Sequence, residues 1–236
     1  MPPTASVAHP AIVRVIHVDV TEDGQLFQVQ ELIDGRTLEG WLAEVGRMPP
    51  AAVAALGAVL ADALATAHRA GVVHRDVKPA NVMLTRAAPH ARLLDFGLSK
   101  LRRSGADTRT ARGLIVGTPA FIAPEQITDP DQVGDPADVY ALGLVLYACA
   151  CGDAPFPASS PMEWLTRHVH DAPAPLAPRA PAAPAALCAA IMACLAKTPG
   201  ARPTARALAT DLAALAEPDA LAATVASADL RGSATG

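Results

Sequence analysis

"HRDVKPAN", His74 to Asn81, sets basic side chains, a carboxylate, an amide and a proline together between apolar runs that read as buried secondary structure. What such a loop can do depends on what the flanking sequence folds beside it.

Upstream, "PPAAVAALGAVLADALATAHRAG" starts with prolines suited to a first helical turn, repeats Leu56, Leu60 and Leu64 at spacing four, and stops at Gly71. A long, mostly buried helix therefore delivers the chain to the octapeptide. Downstream come "VML", the polar turn "TRAAPHA" and "RLLDFG", two short apolar runs that read as a hairpin. In an antiparallel pair the start of the first strand lies beside the end of the second, so Asn81 and Asp95 are expected to be neighbours.

Outward from there the chain changes character twice. Residues 12–33 alternate as strands, "IVRVIHVDV" and "LFQVQELI", joined by "TEDGQ" with Gly24 in the turn. From Leu38 onward helices dominate, ending with "DVYALGLVLYACACG", "PMEWLTRHV", "APAALCAAIMACLAK" and "TARALATDLAALA". A polar stretch after Lys100 holds Thr108, Thr110 and Thr118, and residues 217–236 read as small and polar enough to be a disordered tail.

With 236 residues, 51% of them hydrophobic, a sizeable core is assured. A net charge of -4 gives no electrostatic footprint for nucleic acid or an anionic membrane. Cys149, Cys151, Cys188 and Cys194 have no metal-site spacing and read as reduced core residues. The longest apolar run, around "VYALGLVLYACACG", is short of a bilayer span, and the N-terminus lacks a signal pattern. A cytoplasmic chain with no membrane segment is expected, and self-association stays open.

The chemistry of the octapeptide can now be read. A carboxylate at Asp95 and an amide at Asn81 offer hard oxygen ligands of the kind Mg²⁺ takes alongside water and phosphate oxygens. Asp76 can accept a proton from an incoming hydroxyl, a role worth roughly 10²- to 10⁴-fold. Lys78 can neutralise charge on a transferred group. The set describes phosphoryl transfer to an alcohol.

On these residues the chain resembles a serine/threonine protein kinase of the bacterial type. "HRDVKPAN" resembles the catalytic loop, "DFG" at 95–97 the metal-binding motif, "GTPAFIAPE" at 117–125 the substrate-docking segment and "DVYALG" at 138–143 the central helix of the large lobe. The resemblance implies an α+β, protein-kinase-like fold with a mainly helical large lobe and a truncated small-lobe β-remnant. Residues 1–37 would be that remnant with the hinge, and 38–216 the large lobe.

It further implies ATP and Mg²⁺ as cofactors and a protein with Ser/Thr acceptors as substrate. Asp76 would be the catalytic base and Lys78 the phosphate-stabilising residue, with Asn81 and Asp95 as the metal ligands. Gln30 would stand at the gate of the adenine pocket, Glu31 to Ile33 would form the hinge, and Met83 the floor. Glu125 would pair with Arg202, and Asp138 would anchor the catalytic loop from beneath. Arg75 would mark a kinase switched on by activation-loop phosphorylation, with one of Thr108 and Thr110 as the candidate site.

The sequence departs from the family at its front. The first glycine is Gly24, and the lysines are Lys78, Lys100 and Lys197, so no glycine-rich loop and no phosphate-holding strand lysine stand before the hairpin. Losing such an anchor costs roughly 2.7 to 4 kcal/mol, on the order of 10² to 10³ in rate. Two readings stay open: an active kinase whose upstream segment was clipped, and a pseudokinase fragment acting as a binding scaffold. The intact Asp76, Lys78, Asn81 and Asp95 favour the first, with weak activity or none expected from these 236 residues.

Overall fold

The computed structural model describes residues 7–95 and 119–232. Strands β1 (Val15–Val20) and β2 (Leu26–Gln30) form the expected hairpin, a two-stranded antiparallel sheet with Val18 opposite Gln28. Gly24 holds φ 84° in its turn, a left-handed backbone that glycine adopts without a Cβ clash. A second sheet runs in the order β3 (Arg36–Thr37), β4 (Val82–Leu84), β5 (Ala91–Leu93), all antiparallel.

Residues 11–13 reach this second sheet as well. The Leu93 N–H donates to Ala11 O at 2.8 Å and the Val13 N–H to Leu93 O at 2.9 Å, and Ala11, Ile12 and Val13 are buried. The segment before β1 is thereby tied to the strand that leads to Asp95.

Helix α1 (Leu38–Val45) follows β3, capped by the Thr37 hydroxyl. Helix α2 (Pro50–Arg69) is the predicted long helix, opened by Pro49 and Pro50, with Leu56, Leu60 and Leu64 wholly buried. Its twenty apolar-rich residues have the length and composition to cross a bilayer, which the expected longest run at 139–152 did not capture. In this fold most of that stretch is buried under other helices, as in a core helix.

The remaining helices are α3 (Pro124–Thr128), α4 (Asp135–Cys151), α5 (Pro161–His170), α6 (Ala185–Cys194), α7 (Ala205–Ala213) and α8 (Ala220–Gly232). Helix α4 is apolar around its whole circumference and is buried accordingly. Close packing requires glycine at Gly57 of α2, where a Cβ would lie 2.5 Å from Leu212 and 2.9 Å from Leu146. The centre of the helical body is thus the crossing of α2 with α4 and α7.

The expected disordered tail is corrected by α8. Leu221, Thr224 and Val225, at spacing three to four, are buried, and the helix packs on α2. Its alanines favour the helix, and the buried Leu221 and Val225, one turn apart, dock it. The cysteines are free, with Cys149, Cys188 and Cys194 buried and Cys151 partly exposed.

Candidate functional site

The octapeptide forms a strained loop between α2 and β4. Arg75 sits at φ 67°, a left-handed backbone costly for a residue with a long side chain. Three contacts hold it there. Asp138, wholly buried at the start of α4, accepts from the His74 N–H at 2.8 Å and the Arg75 N–H at 2.7 Å. The Gln126 Nε2 donates to Arg75 O at 3.0 Å.

Asp138 also accepts from His68 Nε2 at 2.8 Å, at the end of α2. A buried carboxylate with three donors around it has its charge satisfied by hydrogen bonds. The buried His74 ring spans the next gap: its Nδ1 accepts from the Asp76 N–H at 3.2 Å, so its Nε2 carries the proton donated to Leu94 O at 2.8 Å. That ring links the loop to the backbone just before Asp95.

Asp76, Lys78 and Asn81 come together as expected. Lys78 Nζ lies 2.8 Å from Asp76 Oδ2, and Asn81 Nδ2 donates to the same oxygen at 2.9 Å and to Asp76 O at 2.8 Å. The Asp76 side chain is half exposed, so a carboxylate fixed by its neighbours still meets the solvent.

Asn81 and Asp95 are brought together through the backbone, where the Leu94 N–H donates to Asn81 O at 2.9 Å. Asp95, at φ 58°, turns its carboxylate toward β2: Gln30 Nε2 donates to Oδ1 at 2.7 Å and Gln28 Nε2 to the same oxygen at 2.5 Å. The Asn81 amide oxygen and the Asp95 carboxylate, on adjoining segments, are hard donors of the type Mg²⁺ takes alongside phosphate oxygens.

The expected hinge follows β2. The Glu31 N–H donates to Arg14 O at 3.1 Å, while its carboxylate accepts from the Arg14 N–H at 2.8 Å and from Arg92. The Arg14 amide, and then Arg92, lower the Glu31 pKa. Ile33 is partly buried, and Met83 lies on β4 opposite Thr37 and Arg92.

Glu125 and Arg202 form a bidentate ion pair, 2.6 and 2.8 Å, with the guanidinium wholly buried. Arg202 also donates to the carbonyls of Ala196, Pro136 and Lys197 and lies over the Tyr140 ring. All five of its N–H groups are used.

Arg75 Nη2 donates to Val133 O at 3.1 Å. Thr108 and Thr110, its expected phosphorylated partners, lie outside the described residues, as do Phe96, Gly97, Gly117 and Thr118.

Sequence reasoning missed Gln28, His68, Gln126 and Arg92. Only Gln28 carried a local signal, since it and Gln30 share one face of a strand whose other face is apolar. The rest depend on contacts across 51 to 70 residues of chain.

Comparison with known proteins agrees with this geometry. The family model described as the protein kinase domain matches residues 3–212. The serine/threonine-protein kinase PkaA of Streptomyces coelicolor is 42% identical over 214 residues, covering 89% of this chain and 38% of that protein. PknL of Mycobacterium tuberculosis is 39% identical over 207 residues, covering 86% of this chain and 50% of PknL. PknB of the same species is 34% identical over 198 residues, 83% of this chain and 31% of PknB. The chain spans half or less of the length of these relatives.

Proposed function

The chain belongs to the protein kinase family, and from that membership we propose that it transfers the γ-phosphoryl group of ATP to serine or threonine hydroxyls of a protein substrate. The observation that carries the reading is the grouping of Asp76, Lys78 and Asn81 on one braced loop, with Asp95 tied to it through Leu94.

In this reading Asp76 accepts the hydroxyl proton as the acceptor oxygen bonds to the γ-phosphorus. The bond from that phosphorus to the β,γ-bridging oxygen breaks, and ADP leaves with the electron pair. Lys78, already beside Asp76, offsets negative charge on the group in transit. Asn81 and Asp95 would hold Mg²⁺, which supplies charge neutralisation at the phosphates. Gln30, Glu31, Ile33 and Met83 would border the adenine, Arg75 would answer phosphorylation of Thr108 or Thr110, and Glu125, Asp138 and Arg202 keep the frame rigid.

We assign residues 1–37 to the small-lobe side, supported by the separate β1–β2 sheet, and 38–216 to the large lobe. The free cysteines support a reducing compartment, and we place the domain in the cytoplasm on that ground. The alternative reading is a pseudokinase fragment acting as a binding scaffold.

Labelled ATP with serine, threonine and tyrosine peptides separates the two readings. The kinase reading expects label on serine or threonine and none on tyrosine. A scaffold transfers none to any of them.

A further inference from the structure

Strand β2 is inside out by the usual rule. Leu26, Phe27 and Val29 are 39%, 40% and 42% exposed, while Gln28 and Gln30 take the half-buried positions. Turning an amide away from water without a partner costs about 1–3 kcal/mol. Both amides find the same partner, because alternate residues of a strand share a face and that face looks onto Asp95.

Both bonds fall on Oδ1. Among the described residues nothing bonds the other carboxylate oxygen, so the pair fixes the orientation of Asp95 and leaves one oxygen free. The donors are neutral, which matters for charge. An ammonium or guanidinium there would cancel the carboxylate and repel a cation, whereas two amides orient it and keep its full negative charge. Asp95 also needs support, since its left-handed backbone at φ 58° costs on the order of 1 kcal/mol.

We propose that Gln28 and Gln30 are positioning residues for Asp95, holding one carboxylate oxygen so that the other faces a divalent cation. The proposal rests on the reading of Asp95 as a cation ligand. It gives the polar face of β2 a task beyond bordering the adenine.

The test uses the full chain and Mn²⁺ with ADP as the probe, read by paramagnetic broadening of the Gln28 and Gln30 side-chain amide signals and by calorimetry. In the wild type Mn²⁺ broadens both amides. The Q28L/Q30L variant weakens Mn²⁺ by about 10- to 100-fold, the range for partners that orient a metal ligand. Q28N/Q30N, which keeps the polarity but withdraws each amide by one carbon, weakens it too. Circular dichroism confirms that each variant folds, and the two pairs fail independently.

Unchanged or tighter Mn²⁺ binding in a folded pair, with D95A binding weakly, overturns the positioning role and leaves the cation reading intact. Wild-type amides that do not broaden, with D95A binding as the wild type does, sink the cation reading and this proposal with it.

Discussion

Around α2, Leu56, Leu60 and Leu64 are wholly buried, whereas on the β1–β2 hairpin Ile16, Val20, Phe27 and Val29 are 40% to 58% exposed and glutamines face inward. The helical body closes on itself through apolar contact. A two-stranded sheet has no such backing, and its position is set by polar bonds: Gln28 and Gln30 to Asp95, and Glu31 to Arg92. Burial therefore decides stability in one region and directed hydrogen bonds decide geometry in the other.

Substitutions should separate the two regions. In the helical body the largest loss is expected from Glu125→Ala, which strands the buried Arg202 guanidinium and should destabilise by about 3–5 kcal/mol in urea unfolding. Leu60→Ala should cost about 2–5 kcal/mol by opening a cavity at the α2 crossing. A loss below about 1 kcal/mol in either would mean that the body is not a closed core.

A third effect depends on pH. Burial, and then the charge of Lys197, push the His168 pKa down to about 4, and its ring lies among Trp164, Phe156 and Tyr140. Lys197 itself is lowered to about 8, chiefly by burial. In the unfolded chain a histidine takes its proton near pH 6.5, so between about 6.5 and 4 the unfolded state binds more protons. Stability should fall by up to about 3 kcal/mol as pH drops through that window, and His168→Phe should flatten the slope.

The smallest effect is on the hairpin. Phe27→Ala should change stability by less than about 0.5 kcal/mol, because the residue is already 40% exposed. A loss of several kcal/mol would show that the hairpin is part of the core after all.

Legibility followed the same division. The leucine spacing of α2, the hairpin turn at Gly24 and the second hairpin were readable because each is set by local periodicity and turn chemistry. Asn81 and Asp95 were placed as neighbours by strand geometry, and the bond between Leu94 and Asn81 carries that closeness. Helix α8 was hidden because its small side chains give little periodic contrast, and its docking depends on the surface of α2, some 150 residues earlier.

At the site, residue types pointed to the chemistry of Asp76, Lys78 and Asn81, but not to what holds them. Asp138 gathers donors from His68, His74 and Arg75 only once α2 and α4 cross. Gln28 has a partner 67 residues away. Strand alternation marks the face of Gln28, but no local pattern encodes the partners.

Transfer of labelled phosphate from Mg²⁺ and ATP to a serine or threonine peptide by the wild type and by Asp76→Asn tests the central claim most directly. The account predicts transfer by the wild type and a fall of roughly 10²- to 10⁴-fold in a variant that folds normally. Equal rates in the two proteins, or no transfer by the wild type, would contradict it.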